Sequence, residues 1–223
     1  TPYMFYRDTV NRSNANRHKG MIYCSNLCTE ITQNQSPTTV IEQRTEDGKI
    51  IIEKTPGDFV VCNLSSISLA KAVKENVLER LIKIQVRMLD NVIDLNNIPV
   101  IQANITNKNY RAIGLGTFGW HHLLALEGIA WESEKAVEYC DRLYEKIAYL
   151  TIKSSVDLAG EKGSYPFFEG SDWDSGFFFD QRGYDSDAWS QLKNRVHTSG
   201  IRNGYLMAVA PNSSTAIIAG STS

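Results

Sequence analysis

Apolar positions recurring three and four residues apart outline most of this chain. Val77, Leu81, Ile84, Met88 and Val92 recur at helical spacing and predict a helix over about 68–95, with Pro99 ending the region. Val137, Cys140, Tyr144, Ile147 and Leu150 form part of a second stripe, over about 133–159, with Ser133 as N-cap and Gly160 and Gly163 closing it. A shorter helix is predicted from near Gly116 to Gly128, with Gly128 as its C-cap, and another from Ser186 to Ser199, ended by Gly200. Phe5, Thr9 and Val10 point to a short helix within residues 1–20.

The extended segments are shorter. Met21-Ile22-Tyr23 reads as a brief extended lead-in, Phe59 to Cys62 as a buried strand, and Tyr205 to Ala210 as another. Asp47-Gly48 is a turn signal between two β-like runs, Val40-Ile41 and Lys49 to Glu53, within a polar surface excursion. Pro56-Gly57 marks a further turn. Residues 161–186 hold aromatics and glycines without periodicity and read as a long ordered loop. Strands alternating with long helices predict an α/β architecture with mostly parallel strands.

Composition narrows the function classes. Apolar residues make up 42% and charged residues 22%, ordinary for a globular domain, and the net charge of −2 offers no electrostatic case for nucleic acid or an anionic membrane. No apolar run approaches the roughly 20 residues of a membrane span. The chain has 223 residues, opens at Thr1-Pro2-Tyr3 without an initiator Met and stops at Gly220-Ser221-Thr222-Ser223, which reads as a piece of a longer polypeptide. An engineered piece, a split gene and an intein-flanked segment all fit. The four cysteines, Cys24, Cys28, Cys62 and Cys140, contain no CxxC pair and match no zinc spacing, so no metal site is expected and a reducing cytoplasm is the simplest compartment.

Four stretches carry candidate chemistry. In Ser25-Asn26-Leu27-Cys28-Thr29-Glu30-Ile31, an amide, a thiol and a carboxylate stand at alternating positions, which share a face in an extended segment. Cys24 lies on the same alternating face and is an equal candidate for a reactive thiol on pattern alone. Cys62, in an apolar run, can cycle as a disulfide reductant with a second thiol, and spacing leaves both Cys24 and Cys28 open as its partner. Pro211-Asn212-Ser213-Ser214-Thr215 joins a predicted strand to a helix N-terminus, where free N–H groups and small hydroxyls favour an anion. Gly114-Leu115-Gly116-Thr117-Phe118-Gly119 matches a dinucleotide-binding pattern, but residues 106–111 are too polar for the buried strand that pattern requires. Close packing of a helix on neighbouring backbone is the better reading of these glycines. His121 and His122 are adjacent, so one is expected to pack and one to be exposed.

With these stretches assembled, the chain resembles the large catalytic subunit of class I ribonucleotide reductase. SNLCTEI (25–31), VCNLSSISL (61–69), RAIGLGTFGW (111–120) and APNSSTAIIAGSTS (210–223) occur in the family's order and cover nearly the whole chain. Leu27 and Thr29 depart from the NPCGE form of the adenosylcobalamin-dependent class. The resemblance implies that residues 1–223 are part of a ten-stranded α/β barrel with the radical cysteine on an internal loop. It implies that Cys28 becomes a thiyl radical and takes the 3′ hydrogen, that Glu30 accepts the 3′-hydroxyl proton, and that Asn26 hydrogen-bonds the substrate hydroxyls. Cys62 matches one thiol of the pair that reduces the 2′ position. Asn212, Ser213, Ser214 and Thr215 match the phosphate-binding loop, and Cys24 becomes a packing residue. A radical site is expected to be buried, because water and oxygen quench the radical.

The implied reaction is reduction of ribonucleotides, at the diphosphate level, to deoxyribonucleotides. The implied partners are the remaining segments of the large subunit, a radical-generating small subunit holding a di-iron or dimanganese centre, and thioredoxin or glutaredoxin as reductant. No cofactor is expected in this chain. The second thiol of the Cys62 pair, the allosteric specificity loops and any ATP-binding cone lie upstream in the family. The radical-delivering tyrosines and the cysteine tail lie downstream. The fragment alone is therefore expected to be inactive. The alternative is a non-catalytic nucleotide-phosphate-binding or assembly module derived from the reductase.

Overall fold

A computed structural model describes residues 3–223. In chain order the elements are α1 (Arg7–Arg12), β1 (Thr39–Arg44), β2 (Ile50–Thr55), β3 (Leu64–Ser68), α2 (Leu69–Lys74), α3 (Leu78–Leu95), α4 (Ile101–Tyr110), β4 (Gly114–Phe118), α5 (Trp120–Leu126), α6 (Glu134–Lys162), α7 (Phe177–Asp180), α8 (Asp187–Ser199) and α9 (Ser213–Ala219). The α/β character holds, and the described strands form two small sheets without closing a barrel.

The central layer is parallel. β3 pairs with β4 from Leu64↔Gly114 to Ser68↔Phe118, and Leu115 makes a parallel bridge to Met207 on the other side. Residues 205–208 thus continue the sheet through single bonds, such as Leu115 N–H to the Leu206 carbonyl at 2.9 Å. The glycine-rich stretch is a strand here and does not open a helix. A Cβ on Gly116 would sit 2.2 Å from the Ala208 carbonyl oxygen, so only glycine lets these backbones approach. The segment leading to Gly114 is helix α4, which removes the dinucleotide-binding reading.

α3 lays Leu78, Ile82, Val86, Leu89 and Ile93 into the core, where they join Leu143, Ile147 and Leu150 of α6, Ile67 and Leu115 of the ladder, and Leu192 and Val196 of α8. The helix predicted over 68–95 is two helices. The chain turns at Asn76, which takes φ 51°, and Val77 N–H reaches back to the Ala72 carbonyl at 3.0 Å. Asparagine tolerates this left-handed conformation. The expected stripe is also not the inward face: Ile84, Met88 and Val92 are exposed, because the apolar residues at 78, 82, 86, 89 and 93 make an alternative stripe at the same spacing and that one is buried. α6 begins at Ser133 as expected, with Ser133 Oγ accepting from Ala136 N–H at 3.2 Å, but runs past Gly160 to Lys162. The loop after α6 contains the single turn α7.

Two polar networks fix the strand that leads towards α9. Asp90, fully buried on α3, accepts from Arg111 Nε at 2.9 Å, Lys162 Nζ at 3.1 Å, Arg202 Nε at 3.2 Å and Asn203 Nδ2 at 3.2 Å. One carboxylate thereby ties together α3, the ends of α4 and α6, and the start of the 205–208 strand. Asn16 Nδ2 and Trp173 Nε1 both donate to the Gly204 carbonyl, at 2.8 and 3.1 Å. Asn14 Nδ2 donates to Asn34 Oδ1 at 2.7 Å, pinning the two ends of the segment that contains the Asn-x-Cys-x-Glu motif.

β1 and β2 form the expected antiparallel hairpin, with all their residues exposed. Among the described residues, no helix is long and apolar enough to cross a membrane.

Candidate active site

Residues 25–31 form a closed loop and not the extended segment expected. Thr29 N–H donates to the Asn26 carbonyl at 3.1 Å, and Thr29 takes φ 70°. Ser25 Oγ donates to the Ile31 carbonyl at 2.8 Å, and Ile31 N–H donates back to Asn26 Oδ1 at 3.1 Å. Alternation on one strand face is therefore not what brings Asn26, Cys28 and Glu30 together. The loop does so by folding on Asn26. Its acceptor oxygen is spent inside the loop, while Asn26 Nδ2 has only a 4.0 Å approach to the Cys62 sulfur.

Cys62 lies just before β3, in residues 59–63, which form no strand, and it is exposed where a buried strand position was expected. Its neighbour Asn63 anchors it. The Asn63 carbonyl accepts from Gly114 N–H at 2.8 Å, and Asn63 Nδ2 donates to the Leu89 carbonyl at 2.9 Å. The Cys62 thiol is pushed above its ordinary value, first by partial desolvation, then by the Glu30 carboxylate and the Cys28 sulfur nearby. Asn26, Cys28, Glu30 and Cys62 therefore form one cluster.

Glu30 holds its Oε2 buried with no hydrogen-bond partner. A buried carboxylate oxygen without a partner is costly, and a ligand hydroxyl is the group that satisfies it. Glu30 also lines an open cavity of about 1010 Å³ with Asn14, Tyr144, Tyr205 and Met207. Cys28, Cys62 and the 213–215 loop are not among its lining residues, so one cavity shared by all of them is not present in this chain. The expectation of a sealed site is corrected likewise. Cys24, Cys28 and Cys62 are all exposed, and Leu27 beside Cys28 is 89% exposed.

Cys24 is not a core residue either. Gln35 grips it, with Oε1 accepting from Tyr23 N–H at 3.1 Å and Cys24 N–H at 3.0 Å and Nε2 donating to the Cys24 carbonyl at 3.2 Å. Gln35 is a positioning residue that sequence reasoning missed, since a glutamine in a polar tract carries no pattern. Cys140 is half-buried on α6.

The hydroxyl-rich loop stands apart from the thiol cluster. Residues 205–208 run parallel to β4, so the chain leaves the C-terminal end of the ladder before α9, whereas Cys62 precedes its N-terminal end. Ser213, Ser214 and Thr215 are exposed and open α9, where three N–H groups have no intrahelical acceptor; Asn212 is buried, with Nδ2 on the Ala210 carbonyl at 2.6 Å. His121 is exposed against Trp131, and His122 is half-buried. Among the described residues, no three His, Cys, Asp or Glu side chains gather as a metal site.

Comparison with known proteins gives a consistent picture. Residues 1–223 match the family model described as ribonucleotide reductase, barrel domain. The chain is 52% identical over 228 residues to the ribonucleoside-diphosphate reductase subunit alpha of Treponema pallidum (strain Nichols), covering 100% of this chain and 27% of that protein. It is 38% identical over 271 residues to the subunit alpha of Helicobacter pylori (strain ATCC 700392 / 26695), covering 99% of this chain and 34% of the relative. The ribonucleoside-diphosphate reductase large subunit of Danio rerio is 34% identical over 231 residues, with 99% and 27% covered. The chain thus spans between a quarter and about a third of the length of these relatives.

Proposed function

The chain belongs to the ribonucleotide reductase barrel-domain family, and on that premise we propose that it supplies the thiol–carboxylate centre for radical-based reduction of ribonucleotides. The substrate class is the ribonucleoside diphosphate, the level printed in the names of its relatives. The observation that supports this reading most is the buried, unpartnered Glu30 Oε2 in the same cluster as Cys28, Cys62 and Asn26 Nδ2.

The chemistry follows from the residue types. A ribose carbon–hydrogen bond does not yield to acid–base catalysis alone. A sulfur radical on Cys28, generated by a separate radical-supplying subunit, takes the 3′ hydrogen atom and leaves a carbon radical. Glu30 accepts the 3′-hydroxyl proton while the Cys62 thiol protonates the departing 2′-hydroxyl, which leaves as water and puts the radical on the 2′ carbon beside a 3′ ketone. Asn26 Nδ2 donates to a substrate hydroxyl. A second thiol gives a hydrogen atom to the 2′ carbon and its sulfur joins the Cys62 thiolate; the extra electron of that sulfur pair reduces the 3′ ketone as Glu30 returns its proton to the 3′ oxygen, leaving a disulfide and the 3′ carbon radical. The same 3′ hydrogen then returns from Cys28 to carbon. Ser213, Ser214 and Thr215 take the phosphates at the far end of the ladder.

The exposed thiols fit a chain whose relatives are three to four times longer. The remaining segments of the large subunit would cover the cluster and supply the second thiol, and thioredoxin or glutaredoxin would restore the pair. Reconstitution tests this reading. The chain is combined with the complementary large-subunit segments, the radical-generating subunit and a dithiol reductant, and deoxyribonucleotide is measured. Product formed only in the complete mixture is expected. Nucleotide binding without product would favour a non-catalytic module instead.

A further inference from the structure

α9 is poorly supported by its own packing. It has seven residues, far below the roughly 12–15 at which an isolated helix becomes even marginally stable. Ala216 is its only buried side chain, while Ile217 and Ile218 are 80% and 88% exposed. The segment just past it makes the specific contacts. Ser221 N–H donates back to the Ala216 carbonyl at 2.9 Å, and Ser221 Oγ shares a 3.0 Å hydrogen bond with His122 Nδ1. Thr222 Oγ1 accepts from His122 N–H at 3.2 Å.

The last of these bonds explains why the contact exists. α5 begins after Gly119, an N-cap residue with no side chain, so its third N–H lacks the usual capping oxygen. Thr222, a hundred residues away in sequence, brings the hydroxyl. Gly119 must stay bare for this, because a Cβ there would sit 2.5 Å from Ser221 Oγ, and its φ of 81° already favours glycine. α5 in turn is held by the buried Leu123 and Leu124. The end of α9 and the start of α5 thus complete each other.

We propose that His122 is a positioning residue that clamps the hydroxyl-rich loop 212–215 and α9 onto the start of α5 through Ser221. Its functional weight rests on the phosphate role proposed for that loop. His122 touches no substrate in this scheme; it acts by holding α9 in register, so that the N–H groups of Ser213, Ser214 and Thr215 stay aligned.

Amide hydrogen exchange and an inorganic pyrophosphate titration of the 223-residue chain, both followed by NMR, test this. His122→Ala is expected to speed exchange of the Ala216 and Ser221 amides by roughly tenfold, the effect of losing a hydrogen bond that holds a locally opening unit, with core α6 amides unchanged. Ser221→Ala is expected to match it. His122→Asn is expected to restore most of the protection, because its amide reaches the place of Nδ1. Pyrophosphate is expected to shift the Ser213–Thr215 amides saturably, and more weakly in His122→Ala by a similar factor. Unchanged exchange in both alanine variants, or His122→Asn no better than His122→Ala, overturns the clamp. Loss of protection with no pyrophosphate response in the parent chain upholds the clamp and overturns the phosphate reading of the loop.

Discussion

At the scale of single residues, the cluster depends on which polar atoms are already occupied. Asn26 spends its oxygen on the loop and keeps its Nδ2 free apart from the sulfur contact; Glu30 keeps one buried oxygen without a partner. Cys62 feels Glu30, and this proximity has a consequence measurable without turnover. Alkylation by iodoacetamide requires the thiolate, so the pH–rate inflection of Cys62 is expected above that of an ordinary thiol. Glu30→Gln removes one of the charges that oppose thiolate formation, and the inflection is expected to move down. Site-resolved mass spectrometry reads both; an inflection indifferent to Glu30→Gln would separate the two residues. The candidacy of Asn26, Cys28, Glu30 and Cys62 was legible from the sequence motifs. Their geometry was not, because no glycine announces the left-handed turn at Thr29 and nothing in a polar tract marks Gln35 as the grip on Cys24.

At the scale of elements, the sequence was readable where packing is apolar and silent where it is polar. α6 stood out because Ile147 and Leu150 of its stripe are buried, and α3 stood out as a helix although its inward face is Leu78, Ile82, Val86, Leu89 and Ile93 and not Ile84, Met88 and Val92. α4 did not, since its inward face is Ala103, Thr106, Asn107 and Tyr110. Those positions do follow helical spacing, but two of them are polar groups held by hydrogen bonds: Thr106 Oγ1 accepts from Phe59 N–H at 2.8 Å, and Tyr110 OH donates to Asp58 at 3.1 Å. The helix expected from near Gly116 begins only at Trp120, because Gly114–Phe118 is β4, where the glycines serve close approach to neighbouring backbone. Gly116→Ala is accordingly expected to cost about 1–3 kcal/mol in urea unfolding, as overpacking against backbone that cannot move aside. A cost near zero would mean the 205–208 strand has room to shift. Asp90 serves several elements at once, so Asp90→Ala is expected to lose about 3–5 kcal/mol by leaving Arg111, Arg202 and Lys162 without their shared carboxylate. Stability within about 1 kcal/mol of the parent would show the network to be dispensable.

At the scale of the whole molecule, the chain is a section of the reductase α/β barrel whose parallel ladder carries the thiol cluster before one end and the hydroxyl-rich loop beyond the other. Neither the separation of these two regions nor the exposure of all three candidate thiols follows from local sequence patterns, since both depend on strand register and on surfaces that other parts of a longer protein would cover. The central claim is that Cys28, within this cluster, carries the hydrogen-atom transfer. The direct measurement is deoxyribonucleotide formation by the reconstituted reductase bearing Cys28→Ala, with nucleotide binding followed in parallel. The account predicts no product and binding within about threefold of the parent, since uniform binding does not involve that sulfur. Product formed at a rate comparable to the parent's would contradict it.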